Sequence, residues 1–300
     1  MVNRSVLLCC LFLMTGLLAQ AQPIQNWEFA QREFGGTWEL WRNIAYEGAV
    51  WSPVTVPHCF NARDAVDPYV KYYQGEGWYR TGLDIQNPYP QGRTLLHFEG
   101  VGQKARVYVY QTPVGFHQGG YDEFTIDLTD AVANYRSEAP ALPRKTYGTR
   151  IPVAVCADNT RDLNSIPSDL SDFNLYGGMY RKVHLRYVPA ISLERVHIAS
   201  EVNEAGDLAR LLIKPLIYNP THQVSDLEIS VKIKDSAGQL VAEAAQRMPL
   251  SSAGEFPLSL EDPALWSPGK PELYTCEVSL VSEFGTQELT ETFGIRSFFF

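Results

Sequence analysis

Residues 98–128, FEGVGQKARVYVYQTPVGFHQGGYDEFTIDL, read as a strand, a tight turn, a second strand, a Gly-rich loop and a third strand. Ala105, Val107 and Val109 alternate with Arg106, Tyr108 and Tyr110, the period of two expected where one face of a strand is buried. Gly115, Gly119 and Gly120 supply turn positions that side chains occupy only at a cost. Tyr121 and Phe124 then lead into the run Thr125 to Leu128. Outward from this stretch, strands are predicted at 77–84, 93–98, 105–110, 124–128, 151–157 and 182–188, separated by Gly, Pro, Asn and Asp turns. Between Trp27 and about Val188 no amphipathic helix stands out, so the density of short strands predicts a β-sandwich. Residues 131–149, with two prolines, three basic residues and Gly148, read as an exposed insertion loop.

Pro189 begins a short hinge. Beyond it Leu227, Ile229, Val231 and Ile233 alternate with Glu228, Ser230, Lys232 and Lys234, a strand with one wet face. Ser236-Ala237-Gly238 is a turn, and Leu240 starts the return strand. Phe256, Leu258 and Leu260 repeat the alternation, as do Tyr274, Cys276, Val278 and Leu280. About seven strands in this second half predict an immunoglobulin-like sandwich.

The bulk numbers agree with two folded domains. The 300 residues are 45% hydrophobic, with 16 Tyr, 14 Phe and 19 Pro, a composition that suits β-rich cores better than disorder. The formal charge of −9 and pI near 5.2 argue against a nucleic-acid partner, whose phosphates favour basic faces.

The first 21 residues are expected to be a signal peptide rather than part of the fold. Arg4 gives a positive start, Val6 to Ala19 an apolar run, and Ala19-Gln20-Ala21 an A-x-A cleavage signal. The run falls short of the ~20 residues of a membrane span. The mature chain should therefore begin near Gln22 with no membrane span, in a periplasmic or extracellular compartment. Cys59, Cys156 and Cys276 remain in it, without CxxC or ligand spacing. That pattern predicts neither a disulfide framework nor a zinc site. The histidines are scattered and suggest no metal, and no cofactor motif is present.

Seven segments in order resemble the front of glycoside hydrolase family 2, the β-galactosidase, β-glucuronidase and β-mannosidase group. They are WSPVTVPHCFNARD (51–64), YYQGEGWYRTGLDI (72–85), the 98–128 stretch, VAVCADN (153–159), SDFNLYGGMYRKVHL (171–185), DPALWSPGKPELYTCEVSL (262–280) and FGIRSFFF (293–300). The resemblance implies an all-β chain: a jelly-roll, galactose-binding-like domain over 22–188, followed by an immunoglobulin-like domain over 189–300. It implies that the catalytic barrel would follow Phe-Gly-Ile-Arg. A full-length relative would hydrolyse terminal β-linked sugars, β-galactosides foremost, by retaining double displacement.

Retaining hydrolysis uses two carboxyl groups about 5–5.5 Å apart, which in this family are glutamates on the barrel. Glu33, Glu39, Glu76 and Glu99 offer no substitute pair, being expected at strand starts, ends or turns. No G-x-S-x-G, Walker loop or H-E-x-x-H is present either. No catalytic residue is therefore expected here, and the chain alone is expected to be inactive. By the resemblance, Asp172 in DFNLYGGMYR is the acid that reaches toward the barrel's sugar subsite, with Asn174 as its companion. The residues alone leave a plain alternative, that Asp172 caps the turn before Gly177-Gly178. Asp158-Asn159 and Arg161-Asp162 read first as turn-locking residues. His58, Asn61 and Asp64 share the loop after Pro57, where Cys59-Phe60 departs from the family's Asp-Trp. Trp78, Tyr79 and Tyr121 are candidates for stacking on a sugar ring, although aromatics on strands more often fill cores. The expected partners are a β-linked glycan and a barrel domain or a second copy of the chain. Two other roles stay open: a stand-alone carbohydrate-binding module, and a structural subunit docking on a separately encoded barrel.

Overall fold

The computed structural model describes residues 21–31, 51–138, 147–161, 163–167 and 173–297. Among these, the first part forms two facing sheets. The larger comprises β2 (Asn26–Ala30), β3 (Ser52–Thr55), β4 (Glu76–Leu83), β6 (Lys104–Val109), β7 (Thr112–Gln118) and β9 (Ile151–Asp158), in the order β3-β2-β4-β9-β6-β7. The smaller comprises β1 (Gln22–Pro23), β5 (Arg93–Phe98), β8 (Phe124–Asp127) and β10 (Val183–Val188), in the order β1-β10-β5-β8. The pairings within both are antiparallel. This is the jelly-roll arrangement.

The core lies where inward faces meet. Ala105, Val107 and Val109 of β6 and Val153, Val155 and Ala157 of β9 are at most 1% exposed. They pack with Leu96 and Phe98 of β5 and Val183 and Leu185 of β10. Each of the buried valines, leucines and Phe98 contributes about 1.5–3 kcal/mol when taken from water.

Two expectations require correction here. Thr112–Gln118 is a strand paired with β6, not a Gly-rich loop. Its Gly115 is required by close packing, since a Cβ there would lie 2.4 Å from Ile126 Cδ1. Part of the expected insertion loop is helix α1 (Thr129–Glu138), which buries only Ala131 and Val132. A two-residue apolar contact is too narrow to leave a helical periodicity in the sequence.

The second part also forms two sheets. One contains β11 (Ser192–Val202), β12 (Leu208–Tyr218) and β15 (Phe256–Glu261), in the order β11-β12-β15. The other contains β13 (Asp226–Lys234), β14 (Leu240–Pro249), β16 (Tyr274–Ser282) and β17 (Gly285–Phe293), in the order β14-β13-β16-β17. Leu227, Ile229, Val231 and Ile233 face inward beside Tyr274, Cys276, Val278 and Leu280, as their alternation requires. Seven strands in two antiparallel sheets make an immunoglobulin-like sandwich. Among the described residues no helix is long and apolar enough to cross a membrane.

Candidate functional site

The loops that leave β3 and β9 gather at one end of the jelly roll, and they carry most of the polar residues singled out in the sequence. Backbone bonds join them: His58 N–H donates to the Met179 carbonyl at 2.8 Å, and Phe60 N–H to the Gly177 carbonyl at 3.2 Å. Three asparagines complete the junction. Asn61 Nδ2 donates to Leu175 O at 2.8 Å and to Asn174 Oδ1 at 3.0 Å, while its Oδ1 accepts from Gly177 N–H at 2.8 Å. Asn159 Nδ2 donates to Tyr73 O and Leu175 O, both at 2.8 Å, and its Oδ1 accepts from Gly75 N–H at 2.9 Å. All three are buried. Amides suit this task because each offers donors and an acceptor without a charge to desolvate.

Phe60 lies beneath two glycines. A Cβ at Gly77 would come within 2.5 Å of its ring, and one at Gly177 within 2.1 Å. The ring also stacks on Phe29 at 5.8 Å and meets Tyr73 edge-on at 5.6 Å. Gly178 has φ +108, and a Cβ there would sit 2.5 Å from Tyr79 Oη. Aromatic volume and backbone therefore fit directly against one another at this end.

The environment is dry at its base. Burial pushes the His58 imidazole below its ordinary value, and its Nδ1 lies 2.8 Å from Tyr79 Oη. Burial likewise raises the Cys59 and Tyr79 pKa values, against the lowering effect of hydrogen bonds. Asp64 fixes its own loop by accepting Tyr73 N–H at 2.7 Å, and Asp158 accepts Thr160 N–H at 2.8 Å, the expected turn lock.

Asp172 lies outside the described residues, as does Asp162. Asn174 is turned into the junction, its Oδ1 and Nδ2 both engaged with Asn61. Arg161 reaches across to the carbonyl of Phe173. Trp78 and Tyr79, candidates for sugar stacking, are core residues at 2% and 0% exposure. Tyr121 is exposed on the β7–β8 turn. Glu76 opens β4 rather than a turn, and pairs with Arg106 and Trp78 Nε1.

The rim was not foreseen as a unit. Tyr69 (96% exposed) and Tyr72 stand on one loop, and Leu163, Ile166 (87%), Phe173 and Tyr176 on the other. Each is a large side chain left largely in water.

Family models match both halves of the chain: the sugar-binding domain of glycosyl hydrolases family 2 over residues 33–189, and a second family 2 domain over 191–296. The chain belongs to glycosyl hydrolase family 2. A crystal structure of Parabacteroides merdae β-glucuronidase is 39% identical, with a TM-score of 0.83 over 93% of this chain and 35% of that one. Bacteroides uniformis β-glucuronidase 3 is 42% identical, with a TM-score of 0.80 over the same shares. Among curated relatives, a putative β-glucuronidase of Formosa agariphila is 30% identical over 80% of this chain and 27% of its own length. A Thermoanaerobacter pseudethanolicus β-galactosidase is 26% identical over 70% of this chain and 27% of its own. The family 2 chain described here thus spans about a third of the length of such relatives.

Proposed function

We propose that this chain is the non-catalytic front of an exported family 2 exo-β-glycosidase, acting with a catalytic barrel supplied by residues outside the 300. The observation that carries this reading is the apolar rim on the Asn-clamped loops. A barrel seated there would take Tyr69, Phe173, Tyr176 and Ile166 out of water. The short extent relative to the family's longer members supports the same reading.

In this arrangement the jelly roll contributes positioning rather than bond cleavage. Asp172 accepts sugar hydroxyls through charge-assisted bonds. The Asn61–Asn159–Asn174 junction holds Asp172's neighbours Phe173 and Asn174 in place. Both carboxyl groups of the retaining reaction belong to the barrel. The relatives are described as β-glucuronidases and β-galactosidases, so terminal β-glucuronides and β-galactosides are the substrates to test.

The experiment is complementation. The 300-residue chain alone should give no turnover of nitrophenyl β-glucuronide or β-galactoside, because binding without acid–base assistance leaves the barrier in place. Mixed with a barrel-only protein from a close relative, it should bind and raise that barrel's activity. Turnover by the chain alone, with host glycosidase excluded, would overturn the reading. Selective glycan binding with no affinity for any barrel would favour a stand-alone carbohydrate-binding module.

A further inference from the structure

A groove of about 360 Å³ runs between the two sandwiches. Its size falls within the roughly 300–1,000 Å³ usual for small-molecule sites. One wall is the outer face of the β8-β5-β10 sheet, where His97, Asp127 and Arg186 project away from the jelly-roll core. The other wall is the start of β11 together with Tyr218 and Gln287.

The charges on this groove do not cancel locally. Asp127 is already committed: its Oδ2 receives Arg93 Nε at 2.7 Å and Tyr218 Oη at 2.6 Å, and its Oδ1 receives Thr129 N–H at 2.8 Å. Glu123 lies 3.6 Å from His97 Nε2. Among the described residues, the Arg186 guanidinium has neither an ion-pair partner within 4 Å nor a side-chain hydrogen bond, although the residue is half-buried. Burial depresses its pKa, with Glu123 and Glu99 opposing that effect from a distance. A guanidinium presents a planar fork of donors that matches a carboxylate.

A second observation points to the same place. Ser192 lines the groove at 1% exposure, and its Oγ has no hydrogen-bond partner. It sits beside a bulge between Leu193 and Arg195. Gln287 holds that bulge, accepting Leu193 N–H at 2.6 Å and donating to Leu193 O at 3.3 Å. Bulges re-aim side chains and recur beside binding sites. The rim adds the exposed Glu123 and Glu194, carboxylates able to accept hydroxyl groups.

We infer that the groove binds a small hydroxylated carboxylate of the uronic-acid class, its carboxylate on Arg186 and its hydroxyls toward Glu123 and Glu194. The groove's lining shares no residue with the clamped loops.

Sodium glucuronate, glucose and inorganic phosphate, each titrated into the full chain by calorimetry, test it. Glucuronate should bind saturably and at least ten times more tightly than glucose or phosphate. Arg186→Gln should weaken it at least tenfold at an unchanged melting temperature. Should Arg186→Gln not fold, the wild-type His97 ring resonances decide, and they must shift with glucuronate but not with glucose. Absence of saturable binding, phosphate binding as tightly as glucuronate, or full binding by a folded Arg186→Gln would each overturn the assignment.

Discussion

Asn61 and Asn174, 113 positions apart, bond to each other in both directions: Asn61 Nδ2 donates to Asn174 Oδ1 at 3.0 Å, and Asn174 Nδ2 to the Asn61 carbonyl at 3.2 Å. Removing one partner strands the other's buried polar atoms, at about 1–3 kcal/mol per group. Asn61→Ala should therefore destabilise the chain by about 2–3 kcal/mol in urea unfolding, and Asn61→Asp by a comparable amount, through a buried charge. A loss below about 0.5 kcal/mol would show that the junction relaxes around the gap.

Asp172→Ala, made in a chimera carrying a relative's barrel, should lower kcat/KM by roughly 10- to 1,000-fold, about 1.4–4 kcal/mol. Stability should be unaffected. Unchanged kinetics with a lowered melting temperature would instead assign Asp172 to capping the turn before Gly177.

His97 makes stability pH-dependent. Burial pulls its pKa down to about 4, assisted by Arg186 and His184 and opposed by Glu123 and Glu99. Between pH 6.5 and about 4 the unfolded chain therefore binds the proton that the folded chain refuses. Stability is full above pH 6.5 and falls as the pH drops, by about 3 kcal/mol at the lower end. Asp127, held below its ordinary value by hydrogen bonds that outweigh its burial, adds a further loss only at lower pH. His97→Gln should flatten the decline between pH 6.5 and 4.5. Parallel urea-unfolding profiles for the two proteins would remove His97 as its source.

Expression with the native N-terminus in a bacterial host should yield a released protein beginning near Gln22, as read by N-terminal sequencing. A membrane-bound species beginning at Met1 would contradict export.

Several strands of both sandwiches were legible where one face alone is wet, although Leu208–Tyr218 alternates as cleanly and was not singled out. Leu227–Lys234 and Tyr274–Leu280 declare their period of two, and the structure adds only partners and register. Thr112–Gln118 was missed because Pro113 and Gly115 erase the apolar alternation, although the pairing with β6 survives them. Helix α1 was missed because its buried face is two residues wide. At the loop end, local turn locks such as Asp158 could be read from neighbours in sequence. The Asn61–Asn174 pairing could not, because nothing in a single sequence relates positions 113 apart. The apolar rim stayed hidden for the same reason, its tyrosines and leucine lying on separate loops.

The ring of Phe60, wedged against Gly77 and Gly177, has an evolutionary consequence. These three positions share one volume, so they cannot drift separately. Alanine at either glycine is lethal to the fit while the phenyl ring remains; at Gly77 a Cβ would also lie 2.9 Å from Phe29 Cε2, so there position 29 must give as well. Descendants of this chain should therefore exchange bulk among positions 60, 77 and 177 in concert, leaving a correlated signature in a lineage where each site alone would look merely invariant.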